Sequence, residues 1–136
     1  MPYEIAEQLI SDILSQDDII ISINSGNGIC EVRLEKNIPF RIRNQWATIG
    51  HEDRSWHIHL NLEQIVQAKF VKEPRADGKV SFSIRLIDID GKLSLRANFV
   101  KMYDDQGNLV EKKITAYEDL FKKYGSKEVM SLSAGT

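Results

Sequence analysis

Two histidines on one predicted strand are the residues best suited to chemistry in this sequence. The chain has three histidines, all between residues 51 and 59. His57 and His59 lie in a stretch where apolar and polar residues alternate, which is typical of a β-strand. Side chains two residues apart on a strand project from the same face. The pair could supply two ligands to one metal, supply one ligand and one pocket neighbour, or be half-exposed polar residues.

Two arginines are predicted to face each other across a hairpin. Asp90-Gly91 favours a two-residue turn, and such a turn sets the register of both strands. The predicted pairs are Ile89 with Lys92, Leu86 with Leu95, Ile84 with Ala97, Phe82 with Phe99, Ser83 with Asn98 and Arg85 with Arg96. Guanidinium groups bind carboxylates and phosphates in bidentate fashion. Arg85 and Arg96 therefore indicate either an anion site or a solvated face with partners such as Glu73. If the histidines share this sheet, all four side chains lie on one concave polar face.

A metal-dependent enzyme is a second hypothesis for the histidine pair. Gly50, His57, His59 and Glu63 come close to the first cupin motif, in which Gly is followed by His-x-His and then Glu. The spacing between Gly50 and His57 is one residue longer than is usual in that family, and no histidine follows His59. A catalytic zinc or iron site needs about three protein ligands, so His51 or Glu63 would have to complete the set.

Short strands between two helices must position these side chains. Apolar residues recur at spacings of three and four from Tyr3 to about Gln16 and again from Val110 to Tyr124, which predicts a helix at each end. The intervening segments alternate with a period of two. The sequence predicts an α+β fold, with a large antiparallel sheet and the N-terminal and C-terminal helices packed on its apolar face. The strand order within residues 19–50 is left open.

Length and composition limit the class of protein. A chain of 136 residues fits one domain, residues 1–136, and residues 126–136 are predicted to be a frayed tail. The net charge of −2 favours no nucleic-acid partner. One cysteine, Cys30, excludes an internal disulfide and indicates no oxidising compartment. With no leader-like N-terminus and no long apolar run, we expect a cytoplasmic protein without a membrane segment.

The segment from Trp56 to Val100 resembles the haem-utilisation carriers, the HemS-like and HutX-like proteins. The resemblance lies in Trp56-His57-Ile58-His59-Leu60, the alternating stretch from Ile65 to Val71, the Asp77-Gly78 loop and the hairpin from Ser81 to Val100. With the helix that follows, it covers roughly residues 40–124. Shorter members of this family look like one half of the longer two-repeat members.

The resemblance implies a haem-binding protein, a carrier or store in the cytoplasm that forms a homodimer through a large antiparallel sheet. It implies that His59, at the family's His-Leu position, is the iron ligand, with His57 beside it. Arg85 and Arg96, taken from the hairpin register, are predicted to contact the haem propionates. The family includes degraders as well as carriers, and we favour a non-catalytic carrier. A dimeric interaction domain without a ligand is the third hypothesis.

Overall fold

The computed structural model describes residues 2–51 and 56–133, with two helices and nine strands. In chain order the elements are α1 (Glu4–Leu14), β1 (Ile19–Asn24), β2 (Ile29–Arg33), β3 (Phe40–Arg43), β4 (Trp46–Gly50), β5 (His57–Asn61), β6 (Ile65–Pro74), β7 (Val80–Asp88), β8 (Leu93–Phe99), α2 (Glu111–Lys123) and β9 (Val129–Ser131). Both helices lie within two residues of their predicted ends, and the alternating stretches form strands. The stretch predicted from Ile65 to Val71 extends three residues further, to Pro74, in β6. Neither helix is long and apolar enough to cross a membrane, within the part of the chain described.

The strands form two antiparallel sheets. The larger sheet has six strands in the order β2-β1-β8-β7-β6-β9, and the smaller has three in the order β3-β4-β5. All pairs are antiparallel. The first strand therefore lies between its sequence neighbour β2 and the distant strand β8.

One face of the six-stranded sheet carries the core. Ile21, Ala97, Ile84 and Phe70 lie opposite one another across four strands, and all are buried. The buried stripe of α1, which includes Leu9 and Ile13, belongs to the same core cluster. This arrangement confirms the predicted α+β fold.

Tyr117 anchors α2 to the apolar face. The residue is 1% exposed, and its ring makes edge-to-face contacts with Phe70, Phe82 and Phe99, at centroid distances of 5.8, 5.3 and 5.0 Å. Its hydroxyl donates a hydrogen bond of 2.9 Å to the carbonyl oxygen of Ser83. In the predicted packing of the C-terminal helix on the sheet, this one aromatic side chain contacts three strands, and the buried Leu120 adds to it.

The predicted hairpin register is correct along the strands and wrong at the turn. The five pairs from Phe82–Phe99 to Leu86–Leu95 occur as predicted. Beyond them a bulge shifts the register, so that Ile87 lies opposite Leu93 and Ile89 does not pair with Lys92. The cause is Asp88, whose Oδ1 accepts hydrogen bonds from the backbone N–H groups of Asp90 and Lys92, both at 2.9 Å. Such an Asx turn lengthens the connection.

The C-terminal segment is more ordered than predicted. Instead of a frayed tail over residues 126–136, Val129–Ser131 forms β9 and pairs with β6. Leu132 is buried, and its N–H donates to the carbonyl oxygen of Val66 at 2.9 Å. The prediction failed because three residues are too few to show a period; residues 134–136 lie outside those described.

Candidate functional site

His57 and His59 lie side by side on β5, as predicted. Their ring centroids are 5.7 Å apart and their planes are 24° from parallel. His59 is exposed, and its Nδ1 lies 3.0 Å from the hydroxyl oxygen of Thr48 on the neighbouring strand. No described residue makes a hydrogen bond to its Nε2. A hydrogen bond at one ring nitrogen fixes the orientation of an imidazole and leaves the other nitrogen to a ligand.

The same face of the three-stranded sheet carries two further arginines and a tryptophan. In the register of the sheet, Arg41 lies opposite Thr48, which lies opposite His59. One step along, Arg43 lies opposite Trp46. Both arginines and Trp46 are exposed. We call this surface the imidazole face: Arg41, Arg43, Trp46, Thr48, His57 and His59.

The positions of Arg41 and Arg43 beside the histidines could not be predicted from the sequence. The alternation in Phe40-Arg41-Ile42-Arg43 placed both arginines on one side of a strand. The partner of that strand was unknown, because the strand order within residues 19–50 could not be predicted. The signal was therefore present, and only the pairing that brings it beside the histidines was missing.

Gly50 allows β4 and β5 to approach each other at the end of the imidazole face. Its φ is +139°, a conformation that residues with a Cβ rarely adopt. A Cβ built at this position would lie 2.5 Å from the carbonyl oxygen of Trp56 and 3.2 Å from the Cα of His57. A small cavity of about 110 Å³ beside it is lined by Pro39, Phe40, Arg41, Thr48, Gly50 and His57. The position of His57 therefore requires glycine at residue 50.

Arg85 and Arg96 lie opposite each other on β7 and β8, as predicted, but their surroundings differ. The Nη2 of Arg85 donates a hydrogen bond of 2.6 Å to Glu73, and its Nε donates to the Ser83 hydroxyl at 3.3 Å. The Nε of Arg96 is buried and has no acceptor, and no described carboxylate pairs with this guanidinium. Arg85 thus has the predicted partner Glu73, whereas Arg96 has no such partner among the residues that the structure describes.

The structure does not bring the two histidines and the two arginines into one pocket. The histidines belong to the three-stranded sheet and the arginines to the six-stranded sheet, so the idea of one shared sheet is wrong. The chain leaves the smaller sheet in a turn after β5, where Asn61 Oδ1 accepts a hydrogen bond of 3.1 Å from the N–H of Glu63. His57 lines the small cavity, whereas Arg96 lines a larger one on the other sheet.

The larger cavity, which we call the basic pocket, has a volume of about 440 Å³. Its charged lining residues are Glu31, Arg75, Lys79, Arg96 and Lys101. Apolar walls come from residues such as Ile20, Val80 and Met102. The pocket therefore combines positive charge with apolar surface.

No group of three or more histidine, cysteine, aspartate or glutamate side chains is placed to hold a metal ion within residues 2–51 and 56–133. His51, a candidate third ligand in the cupin-like hypothesis, has its Nε2 3.5 Å from a carboxylate oxygen of Glu35. The arrangement found at β5 is thus a pair of imidazoles.

Comparison with known proteins identifies the architecture. A protein-family model matches residues 7–125, and no curated protein matches the sequence. The structure of the heme-binding protein ChuX is similar, with a TM-score of 0.72 and 14% identity over 90% of this chain and 74% of that one. Holo-PhuS, a haem-binding protein from Pseudomonas aeruginosa, gives 0.63 and 16% over 85% and 32%. The E. coli haem oxygenase ChuS gives 0.58 and 19% over 85% and 33%.

Proposed function

We propose that this chain, which belongs to the HemS-like and HutX-like family of haem-utilisation proteins as a single-repeat member, binds haem and passes it on unchanged. The observation that carries the proposal is the state of His59. Its imidazole is exposed, its Nδ1 is engaged by Thr48, and its Nε2 is left for a ligand.

The donor chemistry of the imidazole face fits haem. Haem iron would need only one further donor from the protein, and the imidazole of His59 is a side chain that commonly holds it. A bare zinc or iron ion would require about three protein ligands. His57, stacked beside His59, would line the site and limit the motion of the ligating ring. Trp46 offers exposed aromatic surface on the same face.

The haem propionates need cations, and the imidazole face has two. Arg41 and Arg43 lie on the same face as His59, and the planar guanidinium group suits a carboxylate. We therefore assign the propionate contacts first to this pair. The sequence predicted that Arg85 and Arg96 contact the propionates. They lie on a different sheet from His59, and their substitutions serve as comparisons.

An open site suits a carrier. A haem bound on an exposed sheet face keeps much of its surface in contact with solvent, and one axial imidazole with a few guanidinium contacts permits exchange. Differences in affinity between related sites arise mainly from the dissociation rate. We propose a cytoplasmic carrier without catalytic activity, from which an acceptor protein can take the haem.

We also propose a homodimer. β2 is one of the two edge strands of the six-stranded sheet as described, most of its residues are exposed, and Ile29 is 66% exposed. An uncovered edge favours pairing with another strand. Size-exclusion chromatography with light scattering should give a dimer for the wild type and a monomer for Ile29→Lys. A monomeric wild type would contradict the proposal.

Titration with hemin tests the ligand. The wild type should give a saturable shift of the Soret band with one hemin per chain, and His59→Ala should lose that shift. His51→Ala is the matched control, because it removes an imidazole that lies outside β5 in the chain and has its Nε2 3.5 Å from Glu35. His57→Ala should weaken the complex without abolishing ligation.

Each alternative has its own outcome. An unchanged Soret band in His59→Ala would refute the ligand assignment, and no saturable shift in the wild type would refute haem binding. Stoichiometric zinc or iron binding in place of hemin would favour the metal-dependent enzyme. Neither ligand, together with a stable dimer, would favour the interaction domain.

Charge variants test the propionate contacts. Arg41→Gln and Arg43→Gln should each weaken hemin binding by about tenfold, which corresponds to about 1.4 kcal/mol for a charge-assisted hydrogen bond. Arg85→Gln, which removes a guanidinium on the six-stranded sheet and not on the sheet that carries His59, should change hemin binding little. Equal losses in all three variants would contradict the assignment to the imidazole face.

A further inference from the structure

The basic pocket lies on a different sheet from the proposed haem site and is partly preformed. Its floor comes from the outer face of the six-stranded sheet, where Ser22 lies opposite Arg96 and Ile20 opposite Asn98. The amide nitrogen of Asn98 donates to the Ile20 carbonyl oxygen at 3.1 Å and to the Ser22 hydroxyl at 3.3 Å. The floor is therefore held in place by polar contacts across two strands.

Tyr103 fixes the wall of the pocket. Its hydroxyl accepts a hydrogen bond of 2.8 Å from the N–H of Val80 and donates one of 3.2 Å to the carbonyl oxygen of the same residue. The Nζ of Lys79 lies 5.1 Å from the Tyr103 ring centroid. This contact positions a cation at the rim, because aromatic faces attract ammonium groups.

The charges of the pocket are only partly compensated. Arg75 is paired with Asp77, and Lys101 lies 3.6 Å from Asp18. Neither Lys79 nor Arg96 forms an ion pair within 4 Å with a described carboxylate, although the Asp77 carboxylate lies close enough to Lys79 to interact with its charge. Glu31, the acidic side chain among those lining the pocket, is exposed and separated from Arg96 by Ser22 in the cross-strand row. A net positive charge therefore remains.

The buried Nε of Arg96 indicates what is missing. A buried N–H without an acceptor is destabilising, and a guanidinium is satisfied best by a carboxylate or phosphate. The neighbouring Arg85 cannot supply an acceptor, and its own partner is Glu73. An anion that enters the pocket would compensate the charge of the half-buried Arg96 guanidinium.

We propose that the basic pocket is a second binding site, distinct from the haem site, for a small amphipathic carboxylate. The carboxylate binds Arg96 and Lys79, and the apolar body lies against Ile20, Val80 and Met102. The volume of about 440 Å³ falls in the range of roughly 300–1,000 Å³ of small-molecule sites. The aliphatic walls favour an alkyl chain over a bare anion.

Decanoate is the probe, with naphthoate and inorganic phosphate as comparisons. Binding is measured from the amide chemical shifts of the 136-residue chain. We expect saturable shifts of Ser22, Asn98 and Met102 with decanoate. Arg96→Gln should weaken binding about tenfold. Arg85→Gln is the matched control from the opposite strand and should bind as the wild type does, whereas Glu31→Gln should bind more tightly.

The outcomes separate this site from haem binding. His59→Ala should keep decanoate binding, and Arg96→Gln should keep the Soret shift with hemin. Tighter binding of naphthoate would support the site with an aromatic acid as its ligand. The absence of saturable shifts with either carboxylate would overturn the proposal. Phosphate binding as tight as that of decanoate would contradict the proposal that the ligand is amphipathic. One-for-one displacement of decanoate by hemin would contradict the proposal that the two sites are distinct.

Discussion

Replacing Gly50 with alanine should damage both the stability of the chain and the imidazole face. The new Cβ would lie 2.5 Å from the Trp56 carbonyl oxygen and 3.2 Å from the His57 Cα. These atoms are backbone, so they can yield only if β4 and β5 move apart. Gly78 is a matched control, because its φ is also positive, at +83°, but nothing lies within 4 Å of its Cβ position.

The two substitutions share a backbone cost and differ in the clash. Alanine in a left-handed conformation costs about 1–2 kcal/mol of folding stability. About 0.4–1 kcal/mol of this is recovered because alanine makes the unfolded chain less flexible. Gly78→Ala should therefore lose about 1 kcal/mol. Gly50→Ala starts from a less favourable conformation, costing about 1–3 kcal/mol, and adds overpacking of about 1–3 kcal/mol. We expect a loss of about 3 kcal/mol.

Urea unfolding of both variants measures the difference. Since a domain of this size unfolds with about 5–15 kcal/mol, Gly50→Ala should still fold, with a Tm lower by about 12 °C against about 4 °C for Gly78→Ala. Hemin binding should weaken in Gly50→Ala and stay unchanged in Gly78→Ala, because only the former moves the strand that carries His57 and His59. Equal losses of stability in the two variants would refute the steric argument.

Three further predictions concern single groups. Tyr117→Phe removes the buried hydrogen bond to the Ser83 carbonyl and should lower the free energy of unfolding by about 1 kcal/mol in urea; no change would contradict its role. Hydrogen bonding to Arg75 lowers the pKa of Asp77 to about 2, so the stability it contributes is present above the usual carboxyl range and is lost as the pH falls towards that value. A carboxyl NMR titration should show this midpoint, and Arg75→Gln should raise it towards 3.8. Burial raises the pKa of Tyr124, so the stability of the fold should be lost as the pH rises beyond the usual phenol range. Phenol ionisation, measured by absorbance, should then coincide with unfolding, measured by circular dichroism.

The sequence predicted best the features that depend on local patterns. The Asp90-Gly91 turn signal, with alternating strands on both sides, was enough to pair Arg85 with Arg96. The turn itself differs because the Asp88 carboxylate competes for backbone N–H groups, and composition does not show which of the neighbouring aspartates will do so. The helices followed from their apolar stripes, since each has one face in the core.

What the sequence could not predict is the division of the strands between two sheets. β5 and β6 are separated by three residues, a length that fits a hairpin, yet β5 pairs with β4 and β6 with β7. Strand pairing depends on contacts between residues distant in sequence, and alternation is the same whichever partner a strand takes. The predicted site therefore contained correct local pairs that belong to different surfaces.

The position of β1 between β2 and β8 has a consequence for biosynthesis. Residues 19–22 pair with residues 96–99. Nearly three quarters of the 136 residues must therefore be synthesised before β1 can pair with its second neighbour. Until then the β1–β2 hairpin is an isolated two-stranded unit, which is marginally stable in water. Contacts so far apart in sequence slow folding, and the isoleucine-rich strand is the segment most in need of protection from other nascent chains during that interval.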